Sequence, residues 1–100
     1  MNITKTENEG IVTLKPEGWL DTLSAAELGE AVAAIETAAS IVLDFDAVEY
    51  MSSAGLRQVI FAHKTAKELG AAFSVVNVNP EVMSIFCMTN IDKKIKISAK

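Results

Sequence analysis

One cysteine, one histidine, one tryptophan, one tyrosine and two prolines in 100 residues leave few side chains for covalent or metal chemistry. Cys87 has no second thiol for an intrachain disulfide, and His63 alone cannot complete a zinc site with it, which points to a reducing compartment. No cofactor is expected. No stretch approaches the roughly 18 apolar residues of a membrane span. The segment Met1 to Glu7 carries no apolar signal-peptide core, so the expectation is a cytoplasmic protein without membrane insertion. Basic charge is also scarce: nine Lys and Arg face thirteen Asp and Glu, for a net charge of -4 and a pI near 4.9. That balance argues against non-specific binding to nucleic acid or an anionic membrane. Repeats, linkers and low-complexity tracts are missing as well. What remains is a chain that is half apolar, read as one compact domain over residues 1–100. A domain of this size buries about 60 to 70% of its unfolded surface, enough for a core without staples.

The pattern of apolar residues sets the expected elements. Asn8-Glu9-Gly10 is a turn cluster between Ile3 and the run Ile11 to Leu14, so residues 1–16 read as a hairpin. After Pro16-Glu17-Gly18, Ser24 and Glu27 have capping-box spacing. Ala25, Leu28, Val32 and Ile35 then recur at helical period, predicting a helix over about 24–38. Gly29 inside it costs about 1 kcal/mol of propensity against alanine. Ile41 to Phe45 reads as a central strand and 46–50 as a polar loop. A second helix is expected over 53–69, with Leu56, Val59, Ile60, His63, Ala66 and Leu69 on its apolar face and Gly70 as its stop. Ala72 to Val76 is another strand. Asn79-Pro80-Glu81 starts a short helix carrying Val82, Met83, Phe86 and Cys87 inward. Lys94 to Ser98 alternates with period two, and its outer lysines suit an edge strand. The order ββαβαβαβ predicts an α/β fold with a mixed sheet and right-handed crossovers.

Most enzyme templates fail on inventory: there is no glycine-rich phosphate loop and no histidine paired with a carboxylate at metal spacing. Triad chemistry would have to recruit His63 from mid-helix, where a half-buried or exposed helix residue is expected. Cys87, beside Phe86 and without a basic neighbour, reads as an inert core thiol. Trp19 reads as a core lid, with an exposed contact residue as the alternative. Met51-Ser52-Ser53-Ala54-Gly55-Leu56 stands out because it lies between the end of a central strand and the start of a helix, where ligand chemistry gathers in open α/β sheets. Ala54 and Gly55 leave a serine hydroxyl little cover, and the helix amides favour negative charge nearby. A phosphate on Ser53 would be tolerated there; the plainer alternative is that Ser52 or Ser53 only caps the helix.

Four segments in order resemble the STAS domains, specifically the single-domain anti-sigma factor antagonists. Gly18-Trp19-Leu20-Asp21-Thr22 is similar to that family's Gly-x-Leu-Asp segment, and Ile41 to Phe45 to its Val-Leu-Asp-Leu strand. Residues 50–56 resemble its phosphorylation loop, commonly Asp-Ser-Ser/Ala/Thr-Gly-Leu. Val82 to Phe86 through Ile91 to Ile95 resembles its C-terminal signature. The resemblance implies that Ser53 is the phospho-acceptor, with Ser52 as the alternative. It also implies a partner-binding set of Asp21, Ser52, Ser53, Ala54, Gly55 and Arg57. Ser52 replaces the family's usual aspartate, and Arg57 stands where a small residue often follows the leucine.

By that resemblance the protein is a non-enzymatic switch. Unphosphorylated, it binds an anti-sigma factor that is also a serine kinase and so frees a sigma factor. Phosphorylation of Ser53 dissolves the complex, and a serine phosphatase resets it. The phosphate would add about -1.5 to -2 charge near Asp44, Asp46 and Glu49, taking the net charge from -4 to roughly -6. Two alternatives are a constitutive STAS subunit of a membrane-associated lipid transporter, in which the serine only packs or docks, and a small nucleotide binder with Ser53 as nucleophile.

Overall fold

The computed structural model describes residues 2–100. Their elements run β1 (Ile3–Asn8), β2 (Ile11–Pro16), β3 (Gly18–Leu20), α1 (Thr22–Ala33), β4 (Ser40–Asp44), β5 (Val48–Met51), α2 (Ser53–Leu69), β6 (Ala72–Val78), α3 (Pro80–Met88), a 3-10 turn (Ile91–Lys93) and β7 (Lys96–Ala99). The main sheet has the order β1-β2-β4-β6-β7. Its first pair is antiparallel and the others are parallel, giving the expected mixed α/β architecture with β7 on an edge.

The hairpin closes through Glu9 and Gly10, both at positive φ, as a tight turn matched to strand twist requires. Each parallel step then moves the chain the same way across the sheet, so right-handed connections carry the helices to one face. Strand alternation agrees with this. Leu14, Leu43 and Val75 stand in register and are fully buried. Thr13, Val42, Ser74 and Lys96 share the opposite, more accessible face.

Sequence and structure part at several places. The expected loop 46–50 contains β5, which pairs in parallel with β3 as a separate two-stranded sheet. Helix α1 begins two residues early, at Thr22: Asp21 is its N-cap, and the reciprocal capping box joins Asp21 to Ser24 rather than Ser24 to Glu27. It also ends at Ala33, although the next five residues, Ala34 to Ala38, include good helix formers. Beyond them, the amides of Ala39 and Ser40 both donate to the Gly10 carbonyl, at 2.7 and 3.2 Å, and pull the chain into register with β2. At Gly29 a Cβ would meet only the movable end of the Gln58 side chain of α2, so the fold does not require a glycine there. Ile60 and Cys87, both expected inside, are exposed. In α3 the i, i+4 pair Val82 and Phe86 faces the core, which turns Cys87 outward. The Asn-Pro start is as expected: the Asn79 side chain accepts from the Val82 amide at 2.9 Å. Its Nδ2 donates to the Val48 carbonyl at 2.9 Å, which ties α3 to β5.

Candidate functional site

The short sheet of β3 and β5 places two helix N-termini side by side. Asp21 follows β3 and caps α1, while Ser52 follows β5 and caps α2. The link between them is a pair of hydrogen bonds: the Ser52 amide and the Ser52 hydroxyl both donate to the Leu20 carbonyl, each at 2.9 Å. The same hydroxyl accepts from the Gly55 amide at 3.4 Å. Ser52 is therefore half-buried, with its oxygen held on both sides.

Ser53 differs from it in each respect. It opens α2, is exposed, and among the described residues its hydroxyl has no hydrogen-bond partner. No acidic residue occupies the first turn of α2, so the positive end of the helix is not neutralised by its own side chains. Ala54 is half-buried and Gly55 buried, and Arg57, one turn beyond Ser53, is exposed. A Cβ on Gly55 would lie 2.7 Å from the Met51 Cγ and 3.0 Å from the Leu20 carbonyl oxygen. The glycine thus lets the first turn of α2 rest on the backbone of β3.

On the α1 side, the Asp21 carboxylate accepts from the Ser24 amide at 3.0 Å and from the Ser24 hydroxyl at 2.9 Å. The backbone bond from Ser24, followed by its side-chain bond, lowers the Asp21 pKa below the ordinary value of 3.8. Asp21, Ser52, Ser53, Ala54 and Gly55 thus gather at one end of the molecule. Arg57 extends the set along α2.

Trp19 is exposed, which corrects the expectation of a core lid. It stands opposite Tyr50 in the β3/β5 register, with ring centroids 5.2 Å apart. Neither aromatic was assigned to the site from sequence, because three- and four-residue strands offer too few positions to show which side chains face out. Two of the acids expected near Ser53 have other partners. Asp44 accepts from Asn77 and from the Asp46 amide, and Asp46 pairs with Lys100. His63 is half-buried beside Phe73 and lies ten residues, or about 15 Å, along α2 from Ser53, beyond reach as its base. Among the described residues no cluster of three metal-ligating side chains occurs. No described helix is long and apolar enough to cross a membrane.

An anti-sigma-B factor antagonist of Bacillus subtilis (strain 168) is 28% identical over 101 residues, covering 100% of this chain and 93% of that protein. An anti-sigma factor antagonist structure from Mycobacterium paratuberculosis matches with a TM-score of 0.89 at 22% identity, covering 99% of this chain and 86% of that one. A sulfate transporter family protein from Wolinella succinogenes matches at 0.82 and 13% identity, covering 94% and 80%. Those two structural likenesses carry the fold. Over residues 2–100 the sequence matches the STAS domain, and the chain belongs to that family.

Proposed function

We propose that this chain is a single-domain anti-sigma factor antagonist switched by phosphorylation of Ser53. In the unphosphorylated state, the surface around the N-termini of α1 and α2 binds an anti-sigma factor with serine-kinase activity and so releases a sigma factor in the cytoplasm. The kinase transfers the γ-phosphoryl group of ATP to the Ser53 oxygen, the hydroxyl proton departs, and ADP leaves. A serine phosphatase later hydrolyses the ester.

The observation that carries this reading is the contrast between the two serines. Ser53 is exposed and its hydroxyl has no hydrogen-bond partner among the described residues, whereas Ser52 is committed to the Leu20 carbonyl and the Gly55 amide. Modifying Ser52 would remove its donor and its cap together. A phosphate on Ser53 sits at the positive end of α2, where helix-dipole contacts are worth about 0.3–1 kcal/mol, so the fold tolerates it. The partner's surface does not. Burying two negative charges against groups arranged for a hydroxyl costs several kcal/mol.

Incubation with the cognate anti-sigma factor kinase and ATP is expected to add one phosphate, located on Ser53 by mass spectrometry and missing in Ser53→Ala. Ser53→Asp is expected to lose anti-sigma factor binding while its Tm barely moves. Phosphate on Ser52 alone, or tight binding by Ser53→Asp, would overturn the reading.

A further inference from the structure

The exposed side chains of the β3/β5 sheet are the aromatics Trp19 and Tyr50, with the acidic Glu49 beside them. Leu20 and Met51 fill the core from the sheet's inner face, while Trp19 is 60% exposed, Tyr50 39% and the neighbouring Leu23 78%. Water-exposed tryptophan and leucine in one place are uncommon on a small monomer surface, and large apolar patches mark interaction sites. The patch has a defined electrostatic setting. Trp19 and Leu23 line a groove together with Glu17, Asp21, Ser24 and Glu27, and no lysine or arginine lines it.

We infer that Trp19, Tyr50 and Leu23 anchor the partner, and that the partner meets them with an apolar side chain flanked by arginine or lysine. The inference rests on the antagonist reading above and adds to it which residues hold the complex and what chemistry they select. Two observations carry it. Trp19 and Tyr50 stand in register with their rings in mutual contact, on a strand pair anchored by the fully buried Leu20 and Met51, which restricts the rings before a partner arrives. Aromatic anchors of this kind dominate binding energy at protein interfaces. The acids bordering the patch complement a basic surface, and an arginine can both pair with Asp21 and stack on the indole. Asp21 stays ionised because Ser24 holds its carboxylate.

Adjacency to Ser53 then explains how phosphate acts on the complex. The Ser52 to Leu20 hydrogen bonds join the start of α2 to the strand that carries Trp19, so a partner seated on the aromatic pair covers the N-terminus of α2. The apolar anchor holds the complex, and the hydroxyl at Ser53 permits it.

Trp19 is the only tryptophan, so labelling this chain with 5-fluorotryptophan gives one 19F resonance that reports this residue. Titration with the purified anti-sigma factor kinase should shift that resonance and remove its H2O/D2O solvent isotope effect. By calorimetry, Trp19→Ala should bind about 30-fold more weakly, while Trp19→Phe recovers part of the loss. Trp19→Ala removes the cross-strand contact with Tyr50 and should lower Tm by about 1–8 °C, and Trp19→Phe by less, with both variants fully folded at the titration temperature. Glu17→Gln combined with Asp21→Asn, the latter keeping the N-cap, should flatten the salt dependence of association. If the complex forms but the 19F signal stays put and Trp19→Ala binds within about threefold of the parent, the anchor assignment is overturned and the antagonist reading stands. An unchanged salt slope overturns the basic partner surface. No complex with the unmodified protein overturns both the antagonist reading and this one.

Discussion

Two glycines inside helices offer a direct test of what positions the Ser53 turn. At Gly55 an added Cβ would meet the Met51 Cγ at 2.7 Å and the Leu20 Cβ and carbonyl oxygen at 3.0 Å each. Met51 is fully buried, its contact atom is Cγ rather than the far end of the side chain, and the Leu20 carbonyl is held by two hydrogen bonds from Ser52. Overpacking of this kind costs about 1–3 kcal/mol. Against it stands the better helix propensity of alanine, about 1 kcal/mol in a helix interior and less in a first turn. Gly55→Ala should therefore lose about 1–2 kcal/mol. At about 4–8 °C per kcal/mol for a domain of this size, Tm should fall by about 5–15 °C. Gly29→Ala is the matched control. Its Cβ meets only the end of the Gln58 side chain, which can rotate away, so the propensity gain survives and stability should stay level or rise by up to about 1 kcal/mol. Urea and thermal unfolding of the two variants measure both changes. Equal stability of Gly55→Ala and the parent would refute the claim that backbone contact with β3 fixes the start of α2.

Ser52→Ala removes an N-cap and a second hydrogen bond to Leu20, and should cost about 1–2 kcal/mol in urea unfolding. A change below about 0.3 kcal/mol would mean that the short sheet holds α2 without its cap. For Asp21 the folded-state pKa lies below 3.8, so the stabilisation from its ionised form is present above the unfolded-state value and lost as pH falls through the lower folded one. Asp21→Asn keeps a capping side chain but cannot titrate, and its stability profile should therefore be flatter than the parent's on the acid side of that value. Parallel acid-unfolding curves would show that Ser24 does not hold the carboxylate as described.

The amphipathic repeats show how much was legible in one dimension. Leu28 and Val32 in α1 and Val59 and Ala66 in α2 repeat within a single element, and their inward faces agree with the buried core; the apolar runs Ile11 to Leu14 and Ile41 to Phe45 lie in strands as expected, though only the structure shows which of their residues face inward. The turn at Glu9-Gly10, the stop at Gly70 and the Asn79-Pro80 start depend on residues adjacent in sequence. α3 was less readable. Apolar residues occupy most of its nine positions, so period alone could not choose between Phe86 and Cys87, and the core took the first.

Local chemistry, then, determined by itself the α/β class, the order of the long elements and the serine-rich turn at the start of α2, because each is specified by neighbours a few residues apart. Tertiary structure decided the rest. Pairing of β3 with β5 across about thirty residues turned Trp19 and Tyr50 outward and set Asp21 beside Ser52. The same pairing separated the two serines. Both lie in one motif and have the same side chain, but the Leu20 carbonyl occupies the Ser52 hydroxyl and leaves that of Ser53 open. A hydrogen bond between residues 32 positions apart has no trace in local sequence, and here it distinguishes a structural serine from an accessible one.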